Sequence, residues 1–347
     1  MSSAAPATKQ REPSTGAIVG IGLASLLVVG LVAVSVGTVA VNPMDTLQVL
    51  IDRMLPVDIE TSRIADPIIW NIRLPRVVAA LGAGAALGAA GATLQGLFRN
   101  PVADPYLVGM SSVSSIGVLL GLGLAWGALG PIGGVLGGAI VGSIASGFVL
   151  VMARNTGGEP SRLILVGVGF GLAVSAVVAA ASIAINDPRI PDVSFWFVGS
   201  LAASTWGTAT WAVVLALVSV AVIFPLTDRI DVMSLGTASA THLGVNVNRV
   251  ATVALAAAGL GVGASVGAAG VVAFVGMMGG TIARSLVGPH HRRSLVAAAF
   301  AGATILIAAD AIGRLIGGRF EVPVGLITAA IGGPYLVWLI TRRSVIP

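Results

Sequence analysis

Gly82-Ala83-Gly84-Ala85-Ala86-Leu87-Gly88-Ala89-Ala90-Gly91 is a segment built only from glycine, alanine and leucine. It lies within a largely apolar run over residues 74–98, which is long enough to cross a hydrocarbon core about 30 Å thick. In lipid, small residues at four-residue spacing let two helix backbones approach closely. Gly84 and Gly88 have this spacing, so we predict a membrane helix that packs against its neighbours through glycine.

The composition of the whole chain indicates a membrane protein. Apolar residues make up 56% of its 347 residues, charged residues make up only 10%, and the mean hydropathy is +0.99. A soluble domain carries about 25% charged residues. We therefore predict an all-α membrane protein with about ten transmembrane helices, at residues 17–41, 74–98, 107–126, 132–153, 163–185, 207–226, 250–267, 271–287, 294–316 and 324–341.

Two of these predicted spans, 250–267 and 271–287, are short and rich in glycine. Only the turn-like sequence Gly267-Ala268-Ala269-Gly270 separates them, so one broken helix is an alternative interpretation. Residues 1–16 are polar and rich in Ser, Thr and Pro. They are predicted to form a disordered cytoplasmic tail rather than a signal peptide, because the apolar run after them is too long for one. Residues 17–347 then form the membrane domain.

The distribution of basic residues predicts the orientation, because cytoplasmic loops carry the excess of Lys and Arg. With both termini in the cytoplasm, most basic residues fall on the inner side and most acidic residues on the outer side. These charges are scattered around membrane edges and form no basic groove with interleaved aromatic residues, so nucleic-acid binding is not expected. The chain has no cysteine, which excludes disulfides and thiolate metal sites.

The residues needed for ATP hydrolysis are missing from the sequence. A phosphate-binding loop needs a glycine-rich turn followed by Lys and Ser or Thr, whereas the only lysine is Lys9 in the tail. We predict no catalytic residue, and ATP hydrolysis is expected on a separate chain. No metal site is predicted either, because His242, His290 and His291 all fall in predicted cytoplasmic segments, the last two in a solvated basic loop.

An ion gradient is the other source of energy for transport. Ion-coupled carriers usually place Asp, Glu or His within their spans, and no such residue lies in the middle of a predicted span. Sodium sites built from backbone atoms alone remain compatible with the sequence.

A polar insert at 228–249 interrupts the membrane pattern on the predicted cytoplasmic side. We predict that it forms short helices with an apolar face made of Ala240, Leu243 and Val245, ending at Gly244. Such a structured insert is expected to dock a soluble partner that transmits force to the membrane domain.

Several motifs follow one another along the chain. Arg73-Leu74-Pro75-Arg76 leads into the glycine-rich span, and two prolines make the stretch Gln95 to Pro105 a rigid, non-helical turn. Later motifs are Trp196 with Gly199-Ser200-Leu201, Leu235-Gly236 to Leu243-Gly244-Val245, Phe274-Val275-Gly276, Ala309-Asp310 with Arg314, and Glu321-Val322-Pro323-Val324-Gly325-Leu326-Ile327-Thr328-Ala329-Ala330-Ile331-Gly332-Gly333-Pro334. On this ordered set, nearly everything after residue 17 resembles the FecCD-type permeases, the membrane subunits of type II ABC importers for iron-siderophores, haem and vitamin B12.

The resemblance implies a BtuC-like permease fold in a bacterial cytoplasmic membrane. It further implies a dimer with a second permease, expected to be a homodimer, two ABC ATPase subunits that hold ATP and Mg²⁺, and an extracytoplasmic substrate-binding protein. The implied function is import of an iron chelate, a ferric siderophore or haem, by ATP-driven alternating access. A vitamin B12 importer is the alternative within the family, and an ion-coupled secondary transporter using discontinuous helices near Gly267 and Gly279 is the alternative outside it.

The resemblance also implies roles for particular residues. The arginines expected to dock the binding protein are Arg73, Arg76 and Arg314, with lipid-headgroup contact as the alternative for the first two. Coupling to the ATPase is assigned to Ser234, Leu235, Gly236, Ala240, Leu243, Gly244 and Val245. A cytoplasmic gate is assigned to Asn100, Val102, Pro160 and Ser161, for which a plain turn is the alternative. Gly167, Gly169 and Gly171 are expected to line the pathway.

Two positions depart from the family pattern. Gly279-Gly280-Thr281 stands where a Val-Pro-His run is usual, and Val113 stands where glycine is common. Loss of the proline removes a helix kink, and the two glycines are expected to restore local flexibility.

Overall fold

The structure, a computed structural model, describes residues 14–37, 39, 41–54, 65–155, 160–185, 198–317 and 321–343. These residues are predominantly helical. In chain order the helices are α1 (Thr15–Ser35), α2 (Pro43–Met54), α3 (Ala65–Leu97), α4 (Met110–Leu129), α5 (Pro131–Asn155), α6 (Pro160–Ile185), α7 (Trp206–Ile223), α8 (Thr227–Ser234), α9 (Thr237–His242), α10 (Val247–Ala269), α11 (Val275–Val287), α12 (His291–Ile316) and α13 (Val324–Arg343).

The all-α membrane architecture is confirmed, with a smaller number of full-length spans. Among the described residues, eight helical stretches are long and apolar enough to cross a bilayer, namely α1, α3, α5, α6, α7 with α8, α10, α12 and α13. The other two predicted spans correspond to α4, whose described apolar stretch is Met110–Leu124, and to α11. With 13 residues, α11 is about 20 Å long at 1.5 Å per residue, which is less than the membrane core.

The region of the two glycine-rich spans contains two separate helices. Helix α10 ends at Ala269 and α11 begins at Val275, and the segment between them is non-helical. Gly270 and Phe274 flank this segment with φ of 69° and 67°. A left-handed backbone conformation cannot continue a helix, so the helix is interrupted at both points. Helix α11 therefore starts inside the bundle rather than at its edge.

Helix α3 is the centre of the bundle and contacts α7, α10, α11 and α12. A Cβ on Gly84 or Gly88 would collide with the backbone of α12, at the carbonyl oxygens of Gly302 and Ala298. The predicted glycine packing is therefore confirmed. Removal of the side chains lets the two backbones touch, which maximises dispersion contacts where no hydrophobic driving force acts between helices.

Residues 1–13 of the predicted tail lie outside the described residues. The Oγ of Ser14 accepts a hydrogen bond from the N–H of Ala17 and caps α1, which therefore begins at Thr15. This helix ends at Ser35 rather than near residue 41, and a second helix, α2, follows before α3. The first predicted span is thus shorter than its apolar run.

Candidate functional site

Charged residues are buried at the end of the bundle where α3 enters it. Arg76 donates from Nε to Asp310 (2.8 Å) and from Nη1 to Glu321 (2.6 Å). Arg314, one turn after Asp310 on α12, places its Nε 3.1 Å from the second oxygen of the same carboxylate. Arg76, Asp310 and Arg314 are almost inaccessible, whereas the Glu321 side chain is 35% exposed. Buried charges of this kind must be paired to be tolerated.

The end of α1 is held by two arginines from this region. The Nη1 of Arg73 donates to the carbonyls of Val34 (2.9 Å) and Ser35 (3.0 Å), and the Nη1 of Arg314 donates to that of Val36 (2.7 Å). The last carbonyls of a helix have no partner within the helix and carry partial negative charge. The arginines therefore act as a C-terminal cap for α1.

At the opposite end of α3 the chain forms a tight turn. The Oδ1 of Asn100 accepts from the N–H of Val102 (3.1 Å), the geometry of an Asx turn. The fully buried Asp104 accepts from the N–H groups of Tyr106 and Met277, each at 2.8 Å. Because Met277 lies in the first turn of α11, Asp104 caps that helix from another part of the chain. Burial raises the pKa of the Asp104 carboxyl to about 6, an effect that its hydrogen bonds to backbone N–H groups oppose.

Helices α8 and α9 form the predicted insert beside this turn. They pack around their own apolar cluster, in which Ile230, Met233 and Ala240 are buried with Val250 and Ala254 of α10. Leu235 and Leu243 instead point outward, 68% and 65% exposed. Two glycines set the turns of the insert, Gly236 with φ 113° and Gly244 with φ 81°, values that residues with a Cβ adopt only with strain.

A cavity of about 630 Å³ separates α8 from the ends of α3, α11 and α13. Its walls are mixed, and their polar and aromatic residues include Arg99, Asp231, Arg284, His291 and Tyr335. His291 is only 4% exposed. The prediction that it lies in a solvated basic loop was therefore wrong for His291, which is buried because its ring contacts the backbone of α3.

The family model for the FecCD transport family matches residues 25–342. The chain belongs to the FecCD transport family. It is thus an ABC transporter permease that crosses the membrane several times.

The names of this FecCD permease's relatives refer to different substrates. The hemin transport system permease of Yersinia pestis is 35% identical over 79% of the chain and 84% of the relative. The vitamin B12 import permease of Vibrio cholerae is 35% identical over 81% of the chain and 85% of the relative. The iron(3+)-hydroxamate import permease of Bacillus subtilis is 28% identical over 97% of the chain and 99% of the relative.

A solved structure supports the fold of the permease. A chain from an inward-facing transporter, described as of the metal-chelate ABC type, superposes with a TM-score of 0.75 and 24% identity, over 95% of this chain and all of that one. At this identity the likeness establishes the fold.

The three predicted docking arginines of this FecCD permease are not displayed on its surface. Arg73, Arg76 and Arg314 are each 4–5% exposed and bind the α1 carbonyls, Asp310 and Glu321. Because their side chains are buried, Arg73 and Arg76 do not have the geometry for contact with lipid headgroups either. The sequence pointed to the guanidinium groups but not to their partners, since Asp310 and Glu321 lie more than 230 residues away from Arg76. Docking by these arginines stays a prediction that requires them to leave these partners.

The predicted gate is only partly described. Asn100 and Val102 are half-buried and belong to the Asx turn, and Pro160 and Ser161 form the start of α6, with side chains that lie outside the described residues. Trp196, one of the family motif residues, also lies outside them. Gate closure by these residues stays a prediction.

The three predicted pathway glycines lie on two faces of α6. A Cβ on Gly167 would collide with Leu107 and Val108, and a Cβ on the buried Gly171 would lie 3.2 Å from the Oγ of Ser112. Gly169 instead faces open space. Helical geometry turns the chain by about 100° per residue, so residues two apart cannot share a face. The lining role remains a prediction for Gly169, and Gly167 and Gly171 serve helix packing.

The Gly279-Gly280-Thr281 departure has a packing explanation. Helix α11 runs unbroken through it, and the expected local flexibility stays a prediction. Gln95 of α3 is fully buried, donates from Nε2 to the carbonyl of Met277 (3.1 Å) and accepts from Arg284. A Cβ at residue 280 would collide with the Gln95 carboxamide. Glycine therefore gives Gln95 the space that a proline ring would fill.

The predicted coupling residues divide between an inner and an outer surface. Ala240 is buried and Val245 packs partly against the same cluster, whereas Leu243 points outward, so the three do not form the single apolar face that was predicted. Ser234 ends α8, and Leu235 and Gly236 form the turn between α8 and α9. The surface available to a partner is therefore the tip around Leu235 and Leu243.

Proposed function

We propose that this permease imports an iron chelate, a ferric siderophore or haem, driven by ATP that two separate ABC ATPase subunits hydrolyse. The observation that carries the proposal is the α8–α9 insert, with Leu235 and Leu243 exposed at its tip. Such side chains are suited to a pocket on a soluble protein. The buried side chains of the insert pack against Val250 and Ala254 of α10, so a push from a partner would reach the membrane helices.

The proposed mechanism is a shift between inward- and outward-open states. ATPase subunits that bind the insert differently in the two states shift the permease equilibrium by that difference in affinity. ATP and Mg²⁺ would bind to the partner chains, since the permease lacks a phosphate-binding lysine. With the insert in the cytoplasm, both termini would lie there too.

An iron chelate is proposed over a corrinoid because haem and iron(3+)-hydroxamate permeases are both among the relatives, one of them aligned over nearly the whole chain. A vitamin B12 permease is as similar as the haem permease, so a corrinoid remains the alternative substrate. The choice is expected to depend largely on an extracytoplasmic binding protein that delivers the substrate.

A second permease subunit, expected to be identical, would complete the pathway. Helix α6 is packed on one side and carries exposed apolar residues on the other, Leu165, Leu172 and Val177 among them. Gly169 lies on this open side. A face of this kind is suited to a pathway between two copies.

An ion-coupled mechanism is less well supported. The break between α10 and α11 resembles the discontinuous helices of secondary transporters, in which a helix N-terminus binds an anionic substrate group. In this chain the carboxylate of Asp104 already occupies the N-terminus of α11. An external carboxylate would have to displace it.

Reconstitution of the permease with an ABC ATPase and a substrate-binding protein tests the proposal. Binding protein loaded with ferric hydroxamate, hemin or cobalamin is added in turn, and ATP hydrolysis and uptake are measured. We expect stimulation by an iron chelate, no hydrolysis by the permease alone, and uptake that survives an ionophore at constant ATP. Stimulation by cobalamin alone would reassign the substrate, and uptake abolished by the ionophore would refute ATP coupling.

A further inference from the structure

Asp231 on α8 binds the beginning of α12. Its two carboxylate oxygens lie 3.0 and 3.2 Å from the backbone N–H of His291, the first residue of α12. The N-cap residue, His290, offers no side-chain cap of its own. A carboxylate at this position satisfies an orphan N–H group and interacts favourably with the positive end of the helix. The insert is therefore attached to α12 by a charge-assisted bond.

His291 continues this connection to α3. Its buried ring places Nε2 3.0 Å from the carbonyl oxygen of Ala92. A carbonyl only accepts, so Nε2 carries the proton and donates it. Gly96, one turn further along α3, leaves the space that the His291 ring occupies, because a Cβ there would collide with the imidazole. The path Asp231, His291, Ala92 thus joins the insert to α3 through directional bonds.

Other contacts between the insert and α3 are less specific. The cavity of about 630 Å³ keeps much of α8 away from α3, and Leu97 at the end of α3 packs against the Ile230 cluster. Apolar packing is non-directional and allows the surfaces to slide. A hydrogen bond fixes distance and direction, so the Asp231 and His291 bonds together fix α8, through the start of α12, relative to α3.

The end of α3 leads directly into the Asn100 turn. The N–H of Asn100 bonds the carbonyl of Gln95 (3.1 Å), and Asp104 at the end of the turn caps α11. Ala92 lies on the last turns before this point. A displacement of α3 at Ala92 therefore reaches the turn without an intervening flexible segment.

We propose that Asp231 and His291 are positioning residues that transmit movement of the insert to the end of α3 and the Asn100 turn. The inference rests on the proposed function, because it requires an ATPase that moves the insert. It assigns coupling residues outside the Ser234 to Val245 stretch.

The test uses the complete importer, with ATPase and binding protein, in nanodiscs. Because the chain has no cysteine, Arg99→Cys beside the turn provides a single exposed thiol, provided that it transports like the parent. The measured quantity is the rate of labelling by a water-soluble maleimide without nucleotide and with ATP plus vanadate. We expect the two rates to differ by about fivefold or more in the parent, a typical coupling effect.

Substitutions distinguish the effect of the His291 and Asp231 hydrogen bonds from the effect of packing. His291→Leu should reduce the nucleotide-dependent difference to within about twofold, while ATP hydrolysis continues. His291→Gln should restore most of it, since the Gln amide can donate to Ala92. Asp231→Ala should behave like His291→Leu, and Asp231→Asn should retain the effect because one oxygen still accepts. Gly20→Ala, on the exposed side of α1 where a Cβ meets nothing within 4 Å, is the control and should match the parent.

Each outcome decides the proposal. A full nucleotide response in His291→Leu or Asp231→Ala would overturn it, as would failure of His291→Gln to restore the response. If His291→Leu does not assemble, the Asp231→Ala and Asp231→Asn pair gives the same decision. A parent importer that hydrolyses no ATP would refute the proposed function and the inference together, whereas normal coupling in every variant would refute the inference alone.

Discussion

Arg76 and Asp310 form a 2.8 Å ion pair across 234 positions of sequence, and both side chains are at most 6% exposed. The pair joins the beginning of α3 to α12, the same two helices that touch through Gly84 and Gly88 deeper in the bundle. Arg314 shares the carboxylate of Asp310. One buried carboxylate therefore contacts two buried guanidinium groups, and Arg76 is paired with Glu321 as well.

The substitution Asp310→Asn tests the importance of this shared carboxylate. It removes the carboxylate that faces Arg314 and leaves Arg76 paired with Glu321, and loss of one member of a buried pair costs about 3–5 kcal/mol. We expect a markedly lower unfolding temperature of the detergent-solubilised permease. Glu321→Gln is the control, with an effect of about 1 kcal/mol or less, because Glu321 is partly exposed. Equal unfolding temperatures for the two variants would contradict this account.

The substitution Gly88→Ala tests the packing between α3 and α12. The new Cβ would meet the carbonyl oxygen of Ala298, so the helices must separate, at a cost of about 1–3 kcal/mol. Gly20→Ala on the exposed side of α1, where a Cβ meets nothing within 4 Å, serves as the control. Thermal unfolding should show a loss for Gly88→Ala only, and a similar stability of both variants would argue against close packing at this site.

The substitution Leu243→Asp tests the tip of the insert as a docking surface. Leu243 is 65% exposed, so the permease should keep its stability to within about 0.5 kcal/mol. Binding to the ATPase and substrate-stimulated hydrolysis should be lost. Ala240→Asp offers the contrast, because Ala240 is fully buried and a charge there should destabilise the insert itself. Normal ATPase binding by Leu243→Asp would show that the tip is not the contact.

The carboxyl of Asp104 predicts a dependence of stability on pH. Its pKa is raised from 3.8 to about 6 by burial, so the folded chain holds this proton more tightly than the unfolded chain. The stabilisation is fully present below the ordinary value and is lost as the pH rises towards 6, with a slope of at most about 1.4 kcal/mol per pH unit. Above that range the contribution is constant.

The measurement is the unfolding temperature of the parent relative to Asp104→Asn between pH 4.5 and 8. The parent should lose stability relative to this non-titrating variant as the pH rises to about 6, with a constant difference above about 7. A difference that grows in the parent's favour with rising pH would mean that the folded chain lowers the pKa instead.

Much of the fold could be predicted from local patterns. The length of each apolar run gives the membrane helices, because a helix satisfies its own backbone in lipid whatever its neighbours are. The spacing of Gly84 and Gly88 gives a packing face for the same local reason. The family motifs, read in order, give the transport class.

The contacts of the candidate site could not be predicted from local patterns in the same way. Arg76 can be read as an outward cation or as half of a buried pair, and only the approach of α12 with Asp310 decides between them. His291 follows an exposed His290 in a basic stretch, and no periodicity marks it as buried. Gln95 and Gly280 are complementary only after α3 and α11 have packed together.

The sequence by itself determined the membrane location, the helical class and the polar insert, because hydrophobic length and charge placement act residue by residue on the transfer from water to lipid. Tertiary structure alone decided which charges are buried, which glycines line open space and which contacts join the insert to α3. These properties depend on the distance between residues remote in the chain, and that distance is fixed only when the helices pack against one another.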